Sequence, residues 1–111
     1  MSQVLRLSYL KPHFVSIGEV EKLLDELMET LAHLPGFVMG LRFGVYGDPQ
    51  SNEIGRLTIW ADHTVADRAA RNEHVLALRS RINTLLHEDP EEHLLEVRGA
   101  AVNLPKPQSS R

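Results

Sequence analysis

The sequence of 111 residues lacks cysteine, has few aromatic side chains and has no strong excess of either charge. Without a thiol, the chain cannot form a disulfide scaffold, a thiolate zinc site, an iron–sulfur cluster or a cysteine nucleophile. Its formal net charge of −3 argues against a nucleic-acid binder, because such proteins usually carry an excess of lysine and arginine. No apolar run approaches the roughly 18 residues of a membrane span.

The length is typical of a single domain, which we expect to span residues 1–104, with a flexible C-terminal tail at 105–111. The first ten residues lack the charged region and the long apolar stretch that together make a signal peptide. A cytoplasmic protein is therefore expected.

The apolar residues of the chain recur with regular periods that predict six elements. Alternation with a period of two predicts strands over 4–10, 37–46 and 54–60, and a last strand is expected over 93–104. Spacings of three and four predict amphipathic helices over 16–34 and about 64–87. The first half of the second helix is built from alanines, so a close neighbour or a gap is expected beside it. These alanines are Ala66, Ala69 and Ala70.

Cap signals predict the ends of the two helices. Ser16 followed by Glu19 forms a capping box, and Pro35-Gly36 ends the first helix. Thr64 is the expected N-cap of the second helix, with Asp67 at the capping-box position.

The element order β-α-β-β-α-β predicts a ferredoxin-like α+β fold, in which two helices cover one face of a four-stranded antiparallel sheet. Apolar residues such as Val38, Tyr46 and Leu95 nevertheless suggest that both sheet faces are apolar. A monomer would leave a large apolar face in contact with water, so we expect a homodimer with sheet packed against sheet.

Segment 34–75, LPGFVMGLRFGVYGDPQSNEIGRLTIWADHTVADRAARNEHV, resembles the antibiotic biosynthesis monooxygenase family of the dimeric α+β barrel superfamily. A Pro-Gly pair closes the first helix and is followed by a strand with the pattern G-hydrophobic-x-x-G. An Asp-Pro turn then leads to a strand that ends in Trp60, and His74 lies fourteen residues later. The resemblance extends over roughly residues 4–104.

The resemblance implies a dimeric α/β barrel, with a pocket between the sheet and the helices of each subunit. Well-known members oxidise an electron-rich phenolic substrate with O₂ and use neither metal nor flavin. In them the protein supplies a dry cavity, orientation and a proton acceptor. Haem-degrading members carry an Asn and a His where this sequence has Leu5 and Ala70, so haem degradation is disfavoured. A second histidine that many members carry early in the second helix is Ala69 here.

Two residues of the resembling segment are candidates for catalysis and substrate packing. His74 is the predicted acid/base group, because an imidazole exchanges protons near neutral pH. A histidine that is partly buried and hydrogen-bonded to backbone or solvent is the alternative. Trp60 is predicted to form a pocket wall on which a flat substrate stacks, and simple core packing is the alternative.

Three further residues are predicted to bind substrate. Arg42 lies between Gly40 and Gly44, which leave room for a ligand, so its guanidinium is predicted to anchor an anion or enolate. An ion pair within or between subunits is the alternative. Tyr9 and Tyr46 are predicted to hydrogen-bond the substrate, with ordinary core or rim packing as the alternative.

The other histidines lie in loops and at helix ends, and no pair has the i, i+4 spacing of a helical zinc site. We therefore expect no metal and no other cofactor. The predicted function is a small-molecule pocket protein that acts as a cofactor-independent monooxygenase on an aromatic or polyketide-like substrate. Two alternatives stay open. One is a non-catalytic ligand-binding or stress-responsive-type dimeric barrel, and the other is a structural dimer with a filled cleft.

Overall fold

The computed structural model describes residues 2–103, so Met1 and the segment 104–111, which includes the predicted tail, lie outside the described residues. The elements in chain order are β1 (Val4–Leu10), α1 (Ile17–Ala32), β2 (Phe37–Gly44), β3 (Ile54–Trp60), α2 (His63–Ala70), α3 (Glu73–Asn83) and β4 (Glu91–Glu96). One turn of 3₁₀ helix at Phe14–Ser16 precedes α1. The strands form one antiparallel sheet in the order β2-β3-β1-β4. The predicted ferredoxin-like fold is confirmed.

The apolar stripe of α1 determines how this helix packs on the sheet. The side chains of the stripe are at most 4% exposed. They are Val20, Leu23, Leu24, Leu27 and Leu31. Burying each such side chain contributes roughly 1.5–3 kcal/mol. Together with apolar residues of β1, β3, α2 and α3 they form the hydrophobic core. None of the helices within residues 2–103 is long and apolar enough to cross a membrane.

The prediction of a single helix over about 64–87 is wrong, because the structure has two helices there, α2 and α3. The division lies at Asn72, whose backbone is extended with a ψ of 134°. The side-chain oxygen of Asn72 accepts a hydrogen bond of 3.1 Å from the backbone N–H of Val75. Asparagine competes in this way with the helical backbone, so it starts a new helix where the apolar period alone predicts continuation.

The predicted caps are also corrected. Asp62, and not Thr64, caps α2, since its carboxylate accepts a 3.0 Å hydrogen bond from the N–H of Val65. Ser16 precedes α1 as predicted, but its side chain makes no capping hydrogen bond because the preceding 3₁₀ turn leads directly into the helix. Gly36 turns the chain into β2 with a φ of 83°, and Val65 packs where a side chain at Gly36 would stand.

Two strands are shorter than their patterns predict, because a strand ends where its partner ends. β4 begins at Glu91, which pairs with Tyr9, and ends at Glu96, which pairs with the first residue of β1. The predicted strand over 93–104 is therefore shifted and shortened to Glu91–Glu96. β2 ends at Gly44, the partner of the first residue of β3, and not at residue 46.

The two sheet faces have different surroundings. The inner face packs against the helices, whereas no helix of residues 2–103 covers the outer face. The outer face carries apolar side chains from all four strands, several of them 41–48% exposed. Its members include Leu5, Leu7, Met39, Leu41, Leu57, Ile59 and Leu95. The alternation of β1, of β3 and of β2 from Met39 onwards is thus confirmed, and it leaves an apolar face without a partner in the monomer. Phe37 departs from it, because a register shift between Phe37 and Met39 pairs Phe37 with Trp60 and packs it against the core.

Candidate functional site: a buried arginine cluster between sheet and helices

The middle of the inner sheet face is polar, although a hydrophobic core surrounds it. In the register of β1 and β3, Arg6 lies opposite Thr58 and Ser8 lies opposite Arg56. Ser8 is 2% exposed, Arg56 5% and Thr58 0%. Buried polar groups cost stability unless they find partners, so three of them in a small core, with Arg6 partly exposed beside them, mark a candidate functional site.

Helix α3 and strand β4 complete this block. Arg79 of α3 donates a 2.7 Å hydrogen bond to Oε1 of Glu92, which lies beside Ser8 on β4. Arg6 lies 3.9 Å from Oε2 of the same carboxylate. We call Arg6, Arg56, Arg79 and Glu92 the arginine cluster. Two guanidinium groups, those of Arg6 and Arg79, therefore contact one carboxylate, and Arg56 is near enough for its pKa to respond to Arg79 and Glu92.

Arg56 is the member of the arginine cluster with the weakest compensation. Within residues 2–103 its only hydrogen-bond partner is the hydroxyl of Ser8, at 3.3 Å. Burial and the charges of Arg79 and Arg6 together lower the pKa of Arg56 to about 10, and the charge of Glu92 opposes this shift. Arg56 is still protonated at neutral pH, so the structure holds a buried cation that makes no direct ion pair within residues 2–103.

Two small cavities flank Arg56, and both are lined by Arg56 and Arg79. The first, of about 10 Å³, has Trp60 and the alanines of α2 in its wall. The second, of about 20 Å³, lies towards Ser8 and Glu92. Each has room for about one water molecule. The space between sheet and helices is therefore almost filled.

A larger groove lies on the other side of α2. It has a volume of about 450 Å³ and runs between the C-terminal end of α1 and the junction of α2 with α3. Its lining is Leu34, Pro35, Val65, Arg68, Ala69, Arg71, Asn72 and Glu73. Ala69 lines both this groove and the 10 Å³ cavity. The expected gap beside the alanines is thus present, and only a small residue separates the groove from the arginine cluster.

Trp60 is the one sequence-predicted site residue that lies at the arginine cluster. It is 1% exposed and lines the 10 Å³ cavity. Its Nε1 donates a 3.0 Å hydrogen bond to Thr58, and its ring meets Phe37 edge to face at 5.3 Å. Trp60 therefore packs in the core and also forms a cavity wall.

His74 lies away from the cluster. Its side chain is 58% exposed near the start of α3, with Nε2 3.9 Å from a carboxylate oxygen of Glu26. It lines none of the cavities described above, although its neighbour Glu73 lines the groove. Its predicted acid/base role is untested and stays a prediction. Nowhere in residues 2–103 do three side chains of His, Asp or Glu form a group that could hold a metal ion.

Arg42 occupies the inner face of the edge strand β2, where it forms ion pairs with α1. Its guanidinium donates to Asp25 at 2.9 and 3.2 Å and to Glu21 at 2.6 Å. The hydrogen bonds that Arg42 donates to Asp25 raise the pKa of Arg42. The room expected at Gly40 is taken by the methyl group of Met28. The ion-pair alternative thus describes the observed position of Arg42, and its binding role stays a prediction.

The two tyrosines lie apart from each other and from the cluster. Tyr9 is on the outer sheet face, where its ring meets Phe43 edge to face at 6.0 Å. It lines a separate polar cavity of about 200 Å³ with Lys11 and several carboxylates. Tyr46 is fully exposed in the turn after β2. The five predicted site residues therefore do not converge on one site.

Sequence reasoning missed the arginine cluster. One signal was present, since the alternation of β3 places Arg56 and Thr58 on the face of Trp60. Polar residues that alternate with apolar ones normally face solvent. The alternation therefore does not reveal that these polar residues lie in the core. Arg79 and Glu92 join it only through packing of α3 and pairing of β4 with β1.

Comparisons with known proteins give different results for the sequence and for the fold. No family model matches the chain, and no curated protein matches it either. Many solved structures share its fold. SnoaB, a cofactor-independent oxygenase from Streptomyces nogalater, is 20% identical over 90% of this chain and 97% of its own, with a TM-score of 0.79.

Two further structures extend this likeness. Rv0793 from Mycobacterium tuberculosis is 16% identical over 91% of this chain and 100% of its own, with a TM-score of 0.81. A structure described as an antibiotic biosynthesis monooxygenase is 21% identical over 86% of this chain and 99% of its own, with a TM-score of 0.76. The chain therefore has the fold of the antibiotic biosynthesis monooxygenase structures, which confirms the predicted resemblance at the level of the fold.

Proposed function

We propose that this chain is a small-molecule-binding protein that acts as a cofactor-independent monooxygenase on an aromatic or polyketide-like substrate. Its site is the cleft between the sheet and α3 that holds the arginine cluster. The observation that carries the proposal is the guanidinium of Arg56, which is 5% exposed, lines a cavity with Trp60 and has only the hydroxyl of Ser8 as hydrogen-bond partner within residues 2–103. An unbalanced charge in a core costs stability, which is typical of positions that serve a ligand. The shared fold with an oxygenase supports the reaction type.

The proposed reaction needs an acidic C–H group next to an electron-rich ring. The substrate CH₂ group loses a proton, and the resulting carbanion transfers electrons to O₂ and forms a hydroperoxide. The hydroperoxide then loses water and leaves a carbonyl group. One oxygen atom thus enters the product and the other leaves as water, with all four electrons supplied by the substrate.

The cleft offers groups for each part of this reaction. Guanidinium groups of Arg56 and Arg79 stabilise the enolate charge of the deprotonated substrate, most strongly where water is excluded. Glu92 lines the 20 Å³ cavity and is the only carboxylate among residues 2–103 that lines either small cavity, so we assign it the role of proton acceptor. The indole of Trp60 presents a flat wall to an aromatic ring.

An aromatic substrate needs more room than the two small cavities provide. The groove beyond Ala69 supplies it if α2 shifts outward and joins the groove to the 10 Å³ cavity. The break at Asn72 separates α2 from α3, so α2 can move while α3 keeps Arg79 in place. Binding is therefore proposed to open the cleft on the α2 side.

Oxygen uptake with anthrone as the substrate tests the proposal. We expect the protein to consume O₂ faster than anthrone does alone, and Arg79→Gln to lower kcat/KM about 100-fold, because a charged donor near the enolate is lost. Arg81→Gln is the matched control, since Arg81 lies on the same helix, is exposed and lines none of the cavities described here. Uptake equal to that of anthrone without protein would contradict the proposal.

The His74→Ala variant decides between two proton acceptors in the same assay. A large loss of rate would assign proton transfer to His74, as the sequence predicts. An unchanged rate would assign it to the cleft, in agreement with the 58% exposure of the His74 side chain.

A second candidate is a structural dimer with a filled cleft. The observation that favours it is the small volume of the cleft, about 10 and 20 Å³ on the two sides of Arg56. A dimeric protein that binds no aromatic ligand and never accelerates O₂ uptake would support this candidate over the oxygenase.

The apolar outer sheet face supports the proposal that the working unit is a homodimer. Leu41 is 41% exposed on this face, whereas Leu76 is 48% exposed on α3. If the outer faces pack together, Leu41→Glu buries a charge and weakens the dimer on the order of 100-fold, while Leu76→Glu leaves it intact. Sedimentation equilibrium at micromolar concentration measures both. A monomeric wild-type protein would refute the dimer.

A further inference from the structure

We propose that the cleft selects an organic anion: a carboxylate held by Arg56 and carried on a flat apolar body that lies towards the groove beyond Ala69. The proposal rests on the proposed function for the place of the ligand but does not depend on oxidation. It names the charge and shape of the molecule that this site binds.

The charge argument starts from Glu92. One of its oxygens accepts from Arg79 at 2.7 Å, and the other lies 3.9 Å from Arg6. Neither contact serves Arg56, whose partner is the neutral hydroxyl of Ser8. Glu92, which lines the 20 Å³ cavity, is thus already engaged by other arginines. A second anion placed beside Arg56 would therefore balance the positive charge that Arg56 adds to the cluster.

The geometry favours a carboxylate over a single-atom anion. Arg56 lines both small cavities, so a group that enters either of them meets its remaining N–H donors. A guanidinium presents parallel N–H bonds that match the two oxygens of a carboxylate. Because Ser8 accepts from Arg56 through its oxygen, its own O–H is still available to donate to the same anion.

The walls around the cluster define the rest of the ligand. The 10 Å³ cavity is bounded by the indole of Trp60 and by small or apolar side chains of α1, α2 and α3. These are Leu31, Ala66, Ala69, Ala70 and Val75. The groove beyond Ala69 continues with Leu34 and Val65 and has room for a molecule of two or three rings. A flat apolar body fits the apolar part of this lining, which also includes Pro35.

The groove also has basic residues of its own, which an anion could use instead. Arg68 and Arg71 line it, and Arg71 is paired with Asp67 at 3.3 Å. These side chains are at the surface, where water and salt weaken an ion pair. Arg56 is 5% exposed, so the same contact is stronger there. The proposal therefore places the carboxylate at Arg56 and not at Arg68.

Calorimetric titration with 2-naphthoate and 2-naphthamide tests this placement, because the two probes share one ring system and differ in charge. We expect the wild-type protein to bind the carboxylate about 10- to 100-fold more tightly than the amide. Arg56→Met should reduce this preference to about twofold or less and keep the affinity for the amide. Arg68→Met and the control Arg81→Met should keep the full preference.

Four results would overturn the inference: equal affinities in the wild-type protein, no binding of either probe at millimolar concentration, a preference that survives Arg56→Met, or one that is lost in Arg68→Met. Circular dichroism establishes that each variant is folded, and Arg56→Gln replaces Arg56→Met if that variant is not. The comparison of the two probes in the wild-type protein needs no variant.

The test is separate from that of the oxygenase, because 2-naphthoate has no acidic C–H group to oxidise. Preference for the carboxylate in a protein that does not accelerate O₂ uptake would support the anion site and remove the monooxygenase proposal. Accelerated O₂ uptake without any preference for the carboxylate would keep the oxygenase and overturn the anion site.

Discussion

Replacement of Trp60 with alanine is expected to lower the free energy of unfolding by about 3–5 kcal/mol. The ring is 1% exposed and packs edge to face on Phe37, so its removal leaves a large cavity in the core. The variant also lacks the indole N–H that donates a hydrogen bond to the hydroxyl of Thr58, a residue that is 0% exposed. Small domains have a total stability of roughly 5–15 kcal/mol, so this single change approaches global unfolding.

Urea unfolding followed by far-UV circular dichroism measures this loss, because Trp60 is the only tryptophan and its fluorescence disappears with it. Trp60→Phe keeps a ring and should cost clearly less than Trp60→Ala. Tyr46→Ala, at a fully exposed aromatic, should change stability by no more than about 0.5 kcal/mol. A cost below about 1 kcal/mol for Trp60→Ala would contradict the packing described here.

Arg56→Met is expected to act in the opposite direction and raise the free energy of unfolding by about 1–4 kcal/mol. The methionine fills much of the same space and removes a buried cation whose only hydrogen-bond partner within residues 2–103 is Ser8. The same variant should lose the preference for 2-naphthoate. Gain of stability together with loss of binding is the signature of a residue kept for function at the expense of the fold.

Arg42→Met is the matched control, since Arg42 lies directly opposite Arg56 in the pairing of β2 with β3. Its guanidinium contacts two carboxylates of α1, Asp25 and Glu21, near the surface. Loss of these pairs should lower stability by up to about 1 kcal/mol. Two arginines in one register are thus expected to give effects of opposite sign. Destabilisation by both variants would show that the charge of Arg56 is compensated.

The effect of Arg56→Met should also depend on pH. In the folded protein the pKa of Arg56 is lowered from the ordinary value of an arginine to about 10. Between these values the unfolded chain binds more protons than the folded one, so the wild-type protein gains stability as the pH rises through this window. The variant lacks this gain. The difference in free energy of unfolding between Arg56→Met and the wild-type protein should therefore have its full size below pH 10 and become smaller above pH 10. Urea titrations at pH 7 and pH 10.5 would measure this change.

The local patterns of the sequence predicted the elements well where packing follows them. The stripe of α1 and the alternation of β1, β2 and β3 have the periods that the structure shows, because burial on one side imposes these periods. The ends of the elements were predicted less well. Asn72 breaks a helix through one side-chain hydrogen bond, and β4 ends at Glu96 because its partner begins at Val4.

The candidate site was predicted only in part. Trp60 and the polar positions beside it in β3 follow from alternation within one strand. His74 and Arg42 were singled out by residue type and spacing, and the structure places both of them away from the cleft. Type and spacing do not reveal which side of a helix faces the sheet at a given point, or which cation already has a carboxylate next to it.

The sequence by itself determined the fold class, the order of the strands along the chain and the apolar character of the outer sheet face, because each of these follows from periods that extend over a few residues. Only the tertiary structure decided that Arg6 and Arg79 share the carboxylate of Glu92 with Arg56 close to them. These four residues lie on four different elements, and the balance of their charges depends on strand register and helix packing. That balance, and with it the predicted preference for an anion, exists only in the folded chain.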